Sequence, residues 1–300
     1  MKLLTLNTHS LIEPEYEAKR DAFVEFIRKE QPDVFALQEV NQTAAAPLLA
    51  GVPAGYYPCP GNMVLLKADN HAAAVARMLE EADCAYHWSW LPAKIGYDRY
   101  DEGMAVFSRA PITAAENLLL SQINDYNNWK TRRALGICAG DVWYYAVHLG
   151  WWKDEDEPFA GQWERLSGYL RSVPGDVCFL MGDFNSPAGL PGEGWQLVSG
   201  SGWLDTYGLA AAKDDGVTVG GVIDGWRDDA RNADGTAPDA ESAEAAPEKG
   251  MRIDYIWVNR EIPVLRSQVI CNGINGPVVS DHYGVMIECE PDKCPGRGGL

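Results

Sequence analysis

The chain has 300 residues, of which 25 are Lys or Arg and 43 are Asp or Glu, so its formal net charge is −18. With 46% hydrophobic residues it can bury a sizeable core, which excludes a wholly disordered protein. The negative charge repels phosphate backbones and anionic lipids, and no run of basic residues offsets it. Nucleic acid and membrane surfaces are therefore disfavoured as partners.

Targeting features are absent from the sequence pattern. No apolar run reaches the ~20 residues that a bilayer requires, and the first ten residues lack the apolar core and cleavage site of a secretory leader. The seven cysteines are odd in number and show no C-x-x-C spacing, which is typical of reduced thiols. We therefore expect a soluble, cytoplasmic protein; nothing in the sequence indicates its oligomeric state.

In the N-terminal half, short apolar runs alternate with amphipathic stretches, which predicts an α/β fold. Asn70 is suited to cap a helix. The predicted strands and helices of this half are strand 2–7, helix 18–29, strand 34–39, helix 70–82 and strand 104–108.

The C-terminal half continues the same alternation. Gly140-Asp141 has the composition of a tight hairpin turn, and Pro158 suits the first turn of a helix. Strands are predicted over 133–139, 142–148, 177–183, 252–258, 264–270 and 283–289. The segment 224–250, rich in Ala, Asp, Glu and Gly, predicts a long solvated loop within one domain spanning 1–300.

Polar residues recur at the ends of these predicted strands. A carboxylate at the end of a buried strand costs free energy unless it is paired, and oxygen ligands without cysteine favour Mg²⁺ or Mn²⁺. Each residue alone also fits an ordinary turn, strand end or core position. Together they predict one shared site formed by Asn7, Glu39, His148, Asp183, Asn185, Asp254, Asp281 and His282.

Five short motifs follow one another along the chain: Leu6-Asn7-Thr8, Leu37-Gln38-Glu39, Gly182-Asp183-Phe184-Asn185, Arg252-Ile253-Asp254-Tyr255 and Ser280-Asp281-His282. With these motifs the chain resembles the endonuclease/exonuclease/phosphatase superfamily, which includes AP endonucleases, pancreatic deoxyribonuclease, neutral sphingomyelinases and inositol polyphosphate 5-phosphatases. The resemblance implies a four-layer α/β/β/α sandwich of two mostly antiparallel sheets. It also implies a site at one edge, between the sheets.

The metal site implied by the resemblance uses three of these residues. Glu39 would bind Mg²⁺ directly, with Mn²⁺ as a substitute. Asn7 and Asp281 would complete the metal shell, directly or through water.

The catalytic roles implied by the resemblance fall on the remaining residues. Asp183 and Asn185 would position the attacking water and the phosphate. His282, oriented by Asp254, would act as a base or as a cation on the phosphoryl oxygens. His148 would occupy a second phosphate-binding or acid position.

Substrate-binding residues are predicted next to the 133–148 hairpin. Lys130 and Arg132 supply positive charge for a terminal phosphate, although solvated cations at a strand entrance would look the same. Trp129 and Trp152 offer aromatic faces on which a sugar ring can stack, as a nucleic-acid base also can.

Four segments carry a narrower resemblance. Residues 86–90, 96–103, 128–132 and 148–152 look like the maltose 6′-phosphate phosphatase branch of the superfamily. The favoured hypothesis is a Mg²⁺-dependent phosphatase acting on a small phosphate ester, namely a disaccharide 6′-phosphate. A Mg²⁺-dependent nuclease of the exonuclease III or AP endonuclease type, and a non-enzymatic binding module on the same scaffold, are the alternatives.

Overall fold

The computed structural model describes residues 1–173, 177–220 and 250–291 of the chain. These residues form thirteen strands: β1 (Lys2–Asn7), β2 (Val34–Thr43), β3 (His87–Gly96), β4 (Tyr100–Ser108), β5 (Ile112–Leu119), β6 (Arg133–Ala139), β7 (Val142–His148), β8 (Cys178–Asp183), β9 (Leu204–Asp205), β10 (Ala210–Lys213), β11 (Asp254–Val258), β12 (Val264–Ile270) and β13 (Gly284–Cys289). Their helices are α1 (Tyr16–Glu30), α2 (His71–Glu81), α3 (Phe159–Leu170), α4 (Gly194–Gly200) and α5 (Thr206–Leu209). The predicted loop 224–250 lies outside the described residues except for Gly250.

The strands form two sheets. One has seven strands in the order β10-β12-β13-β1-β2-β4-β3, and the other has six in the order β5-β6-β7-β8-β11-β9. Most neighbours are antiparallel; the parallel pairs are β1 with β2, β7 with β8, and β10 with β12. The prediction of two mostly antiparallel sheets is confirmed.

Helices cover the outer faces of both sheets. α1 and α2 bury Phe23, Ile27 and Val75 against the seven-stranded sheet, and α3 buries Phe159 and Trp163 against the six-stranded sheet. Between the sheets lies a core of aliphatic side chains that includes Leu3, Val106, Leu135, Met181 and Ile287. These layers confirm the predicted four-layer sandwich.

Local signals locate most elements but not all. The hairpin of β6 and β7 has its predicted bounds, with Gly140 and Asp141 at positive φ of 58° and 62°. Asn70 caps α2 by accepting a hydrogen bond from Ala73 N at 3.0 Å, whereas Pro158 precedes α3 instead of occupying its first turn. Strands β3 and β5 are absent from the prediction, and β2 runs beyond its predicted end at Glu39 to Thr43.

No helix in the described ranges is long and apolar enough to cross a bilayer. The six cysteines located there are free thiols, five of them buried. The cytoplasmic location stays a prediction.

His71, the first residue of α2, leads to a prediction on acid stability. It is buried, and its Nδ1 lies 2.9 Å from the Tyr16 hydroxyl. Burial, assisted by the charge of Arg20, lowers the pKa of His71 to about 3. As the pH falls, the His71 imidazole is protonated in the unfolded chain before it is protonated in the folded chain. The contribution of neutral His71 to the free energy of unfolding is therefore fully present above the ordinary pKa of 6.5. It is lost as the pH drops toward 3, by at most about 1.4 kcal/mol per pH unit.

We therefore expect His71→Gln to flatten the loss of stability below pH 6.5. Urea unfolding of both chains between pH 7 and pH 4 measures the difference, since all other titrating groups are shared. Parallel stability curves for the two chains would contradict the assignment.

Candidate active site

Strand ends meet at one edge of the sandwich. β7 ends at His148 and β8 at Asp183, which lie opposite each other in the parallel pair, and Asp254 at the start of β11 lies opposite Asp183 on its other side. These three residues form one row across three neighbouring strands. The seven-stranded sheet brings Asn7, at the end of β1, to the same edge.

The close spacing of β7 and β8 at this row depends on Gly182. Its φ is 151°, and a Cβ atom there would lie 2.0 Å from the carbonyl oxygen of Val147. Only glycine fits such an approach. The glycine of the Gly-Asp-Phe-Asn motif thus has a packing role that holds Asp183 beside His148.

His282 bridges the two sheets. Its Nδ1 is 3.0 Å from Asp254 Oδ2, and its Nε2 is 3.9 Å from Asp183 Oδ2. His148 Nε2 is 3.6 Å from the same Asp183 oxygen. Both imidazoles and Asp183 therefore share a single location, as the sequence predicts.

The two histidines differ in charge because their neighbours differ. Burial alone would lower the pKa of His282, but the charge and hydrogen bond of Asp254 and the charge of Asp183 raise it to about 10. Burial and the positive charges of Arg132, Lys94 and His282 hold the pKa of His148 well below its usual range. At neutral pH His282 is an imidazolium and His148 is a neutral imidazole.

Asp183 has the electrostatics of a potential base. Burial and the charge of Asp254 raise its pKa to about 7, against the opposing effect of His282. Asn185 donates its backbone N–H to Asp183 Oδ1 at 2.7 Å and its side-chain Nδ2 to the carbonyl of Leu149 at 2.8 Å. Asp183 is therefore held in place while its Oδ2 faces the histidines.

Glu39 lies at an irregularity in β2. The register with β4 shifts between Leu37 and Val40, and Glu39 has a positive φ of 51°. The hydroxyl of Ser10 donates to the Glu39 carbonyl at 2.6 Å, and that of Thr8 donates to the Gln38 carbonyl at 2.8 Å. This bulge re-aims the Glu39 side chain within a strand that continues on both sides.

Asn7 connects the predicted metal ligand to the predicted base. Its Nδ2 donates to Glu39 Oε1 at 2.9 Å and to Asp183 Oδ2 at 3.2 Å, while its Oδ1 accepts from the backbone N–H of His9 at 3.2 Å. In this arrangement Asn7 orients two carboxylates. Its role as a metal ligand stays a prediction.

Next to Glu39 lies a cluster that the sequence analysis missed. His9 Nδ1 is 2.8 Å from Glu13 Oε1 and 4.0 Å from Asp281 Oδ1, and Lys19 pairs with Glu13. Burial would lower the pKa of His9, but the hydrogen bond of Glu13 and the charges of Glu39 and Asp281 raise it to about 9. The His-x-x-x-Glu spacing directly after the first strand is the signal that could have revealed this pair.

These donors fit a divalent cation. Burial and the charges of Glu102 and Asp281 raise the pKa of Glu39, so its carboxylate lacks sufficient counter-charge. Ligand atoms of His9, Glu13 and Asp281 lie within 4.8 Å of one another. Carboxylate oxygens are the ligands that Mg²⁺ prefers, so Glu39 and Asp281 are the residues that would hold the ion.

The predicted substrate-binding residues have different surroundings. Lys130 Nζ pairs with Asp154 at 2.9 Å and with Asp156 at 2.7 Å, so its charge is already compensated. Trp129 is half exposed, whereas Trp152 packs against Phe159 with ring centroids 5.9 Å apart.

A small pocket lies beside Trp129. It is lined by Trp151, and not by Trp152, together with Trp129, Lys130, Arg132, Gly150, Asp154, Glu157 and Gln162. The geometry therefore favours Trp151 over the predicted Trp152 as the aromatic residue next to Trp129.

The comparisons with known proteins agree with this geometry. The Endonuclease/Exonuclease/phosphatase family model matches residues 4–282. No curated protein sequence matches the chain. Among solved structures, an endonuclease/exonuclease/phosphatase family protein from Leptotrichia buccalis C-1013-b is similar with 29% identity and a TM-score of 0.78, over 97% of this chain and 99% of that one.

Two further solved structures show the same fold at lower identity. The mannosyl-6-phosphatase Bt3783 of Bacteroides thetaiotaomicron VPI-5482 has 14% identity and a TM-score of 0.58, over 97% of this chain and 99% of that one. A 3′ phosphatase, NExo from Neisseria, bound to a product DNA hairpin, has 18% identity and a TM-score of 0.59 over the same shares, 97% and 99%. The fold therefore accommodates both sugar phosphates and DNA ends, and does not itself select a substrate.

Proposed function

The chain belongs to the endonuclease/exonuclease/phosphatase family of phosphoric ester hydrolases, and we propose that it is a Mg²⁺-dependent phosphomonoesterase acting on a small sugar phosphate, namely a disaccharide 6′-phosphate. The observation that carries the proposal is the row of His148, Asp183 and Asp254, with His282 completing it from the other sheet. Asn7 links the Glu39 carboxylate to Asp183, and Asp281 directly precedes His282. Phosphate-ester hydrolysis needs a cation, an oriented water and charge stabilisation at the phosphoryl group; these residues offer ligands for a cation, a base for the water and an imidazolium for the phosphoryl oxygens.

In the proposed mechanism a water molecule attacks phosphorus while the bond from phosphorus to the ester oxygen breaks, and the sugar leaves as an alcohol when its oxygen takes a proton from solvent. Asp183 Oδ2 accepts the proton of the water, a role suited to its raised pKa of about 7. His282, held through Nδ1 by Asp254, presents its Nε2–H to a phosphoryl oxygen as a cation. His148 makes the second phosphate contact as a neutral imidazole.

A divalent cation bound by Glu39 and Asp281 would neutralise charge on the phosphoryl oxygens. Asn7 keeps Glu39 and Asp183 in a fixed relation, because its amide donates to both. The cation side and the base side of the site are thereby aligned before substrate arrives.

Charge supports a small substrate over DNA. The net charge of −18 repels a polyanion, whereas one phosphate group needs only local positive charge. The half-exposed Trp129 and the neighbouring Trp151 offer faces on which a sugar ring can stack. The resemblance of four segments to the maltose 6′-phosphate phosphatase branch supports the same substrate class.

A substrate panel tests the proposal. At ~0.15 M salt, where weak charge steering is screened, we expect hydrolysis of a disaccharide 6′-phosphate in clear preference to cleavage of abasic duplex DNA. A hexose 6-phosphate lacks the second ring and its contacts. Its transition state should therefore bind less tightly by roughly 1–3 kcal/mol, which lowers kcat/KM. Phosphate release and gel-based cleavage assays measure these rates.

The outcomes separate the candidate functions. Equal rates on hexose and disaccharide phosphates would remove the two-ring substrate. Cleavage of abasic DNA without hydrolysis of any sugar phosphate would assign the site to a nuclease. No turnover of any phosphate ester with Mg²⁺ or Mn²⁺ present would favour a non-enzymatic binding module.

A further inference from the structure

Two buried cations lie beside His148. Lys94 in β3 and Arg132 directly before β6 are each 6% exposed. They come from different sheets, whose strands β3 and β6 contact each other across the sandwich. Burying two like charges together costs free energy unless counter-charges offset them, so their partners need to be identified.

Of the two cations, only Lys94 has a carboxylate partner among the described residues. Lys94 Nζ pairs with Glu102 Oε1 at 3.1 Å, and both side chains are less than one-tenth exposed. Arg132 donates its backbone N–H to Ser121 Oγ at 2.9 Å. Its guanidinium has no ion-pair or hydrogen-bond partner within 1–173, 177–220 and 250–291.

Two other cations among the described residues, Arg252 and Lys130, are compensated. Arg252 pairs with Asp205 at 2.7 Å, and Lys130 pairs with Asp154 at 2.9 Å. Arg132 instead lines the small pocket next to Gly150 and Trp151, two and three residues beyond His148. An uncompensated guanidinium that is buried at the edge of a cleft is suited to bind an anion there.

Hydrogen bonds hold the two cations in relation to each other. The loop between β5 and β6 contacts the end of β3, where Ile95 N–H donates to the carbonyl of Tyr126 at 2.7 Å. The Tyr126 hydroxyl donates to Asp101 Oδ1 at 2.8 Å. Thr131 donates its hydroxyl to the Asp125 carbonyl at 2.6 Å, which fixes the residue before Arg132.

The electrostatics are consistent with one continuous positive region. After burial, the charge of Arg132 is the largest influence that lowers the pKa of Lys94. Burial and these same two cations lower the pKa of His148. Lys94, Arg132 and His148 therefore share one electrostatic environment, in which the charges of Glu102 and Glu39 only partly offset the lowering of the Lys94 pKa.

We propose that Lys94 and Arg132 form an anion site that selects dianionic phosphomonoesters over monoanionic phosphodiesters. The proposal rests on the proposed function, since it concerns the same cleft. A terminal phosphate carries one more negative charge than a phosphodiester, so cations beyond the metal and His282 favour the monoester. The guanidinium of Arg132 grips two phosphoryl oxygens, and Lys94, held by Glu102, adds a point charge.

The first test compares two substrates that share a leaving group, p-nitrophenyl phosphate and methyl p-nitrophenyl phosphate. We expect Arg132→Met and Lys94→Met each to lower kcat/KM for the monoester by about 10²-fold and for the diester by less than about 3-fold. Lys29→Met and Arg109→Met, at exposed positions, are the matched controls and should leave both rates unchanged. Equal losses on the two substrates would overturn the selectivity.

The second test does not depend on hydrolysis. Calorimetric titration of inorganic phosphate into the full chain in the presence of EDTA should show binding that weakens at least about tenfold in Arg132→Met. Unchanged phosphate affinity would overturn the anion site. If the wild-type chain hydrolyses no sugar phosphate while Arg132→Met loses phosphate binding and the preference for p-nitrophenyl phosphate, the proposed function fails and the anion site stands.

Folding is the confounding factor for Lys94, because its removal leaves Glu102 unpaired. The double variant Lys94→Met with Glu102→Gln removes the pair together and keeps the local charge balanced. It should fold with a native circular dichroism spectrum and still lose monoester selectivity. A double variant that regains wild-type selectivity would reduce Lys94 to a structural role.

Discussion

Asp183→Asn should lower kcat by at least about 10²-fold, because the substitution removes the proton acceptor and keeps the shape of the side chain. Asp183 is 1% exposed and lies within 4 Å of both imidazoles, whereas Asp254, the other carboxylate of the row, is engaged by His282 Nδ1. His282→Ala should cause a loss of the same order, because it removes the cation that faces the phosphoryl group. Steady-state kinetics on the preferred sugar phosphate, with circular dichroism to verify folding, measure both effects.

The matched control is Asp205→Asn. Asp205 is also buried, lies in the same sheet and pairs with Arg252, but it caps α5 instead of facing the site. Its replacement should lower the melting temperature and leave kcat nearly unchanged. If Asp183→Asn behaved like this control, the assignment of Asp183 as base would be wrong.

Glu39→Gln should weaken the metal site, since it removes the charge of the ligand while keeping its shape. We expect activity to vanish with EDTA in the wild-type chain, and the variant to need at least about tenfold more Mg²⁺ for half-maximal rate. Calorimetric titration of Mn²⁺ provides a readout independent of turnover. Glu116→Gln, which affects a carboxylate bonded to Tyr145 in the other sheet, is the control.

Full hydrolysis after exhaustive chelation would contradict the metal requirement. Unchanged Mn²⁺ affinity in Glu39→Gln with normal folding would instead show that Asp281 and its neighbours hold the ion without Glu39. The first outcome concerns the need for a metal ion, and the second concerns which carboxylates bind it.

The parts of the fold that the sequence predicts are those with local signals. The hairpin of β6 and β7 is predicted residue for residue because two mostly apolar runs flank Gly140-Asp141. β2 is predicted too short because its apolar run ends before Gln38 and Glu39, where the bulge lies. β3 is missed because nearly all of its side chains are buried on both faces and it contains Pro92, so it lacks the signature of a strand.

The residues of the candidate site also fall into those with a local sequence signal and those without one. Its predicted catalytic and metal residues belong to short motifs at strand ends, and the fold brings them to one edge. Lys94 and Glu102 carry no such motif; they pair across the neighbouring strands β3 and β4, in a register that no local pattern encodes. Lys130 and Arg132 look equivalent in sequence. The distant Asp154 and Asp156 pair with Lys130, whereas Arg132 has no ion-pair partner among the described residues.

The residues of the site come from two halves, one belonging to each sheet. His148, Asp183 and Asp254 are tied together by backbone hydrogen bonds within one sheet, so their mutual spacing is as rigid as the sheet. Asn7 and Glu39 belong to strands of the other sheet, and His282 lies just before its strand β13; bonds from Asn7 to Asp183 and from His282 to Asp254 join the two halves. The distance between Glu39 and the base Asp183 therefore depends on the thickness of the aliphatic layer between the sheets. A change of volume deep in that layer alters the reach of the catalytic groups without touching any of them.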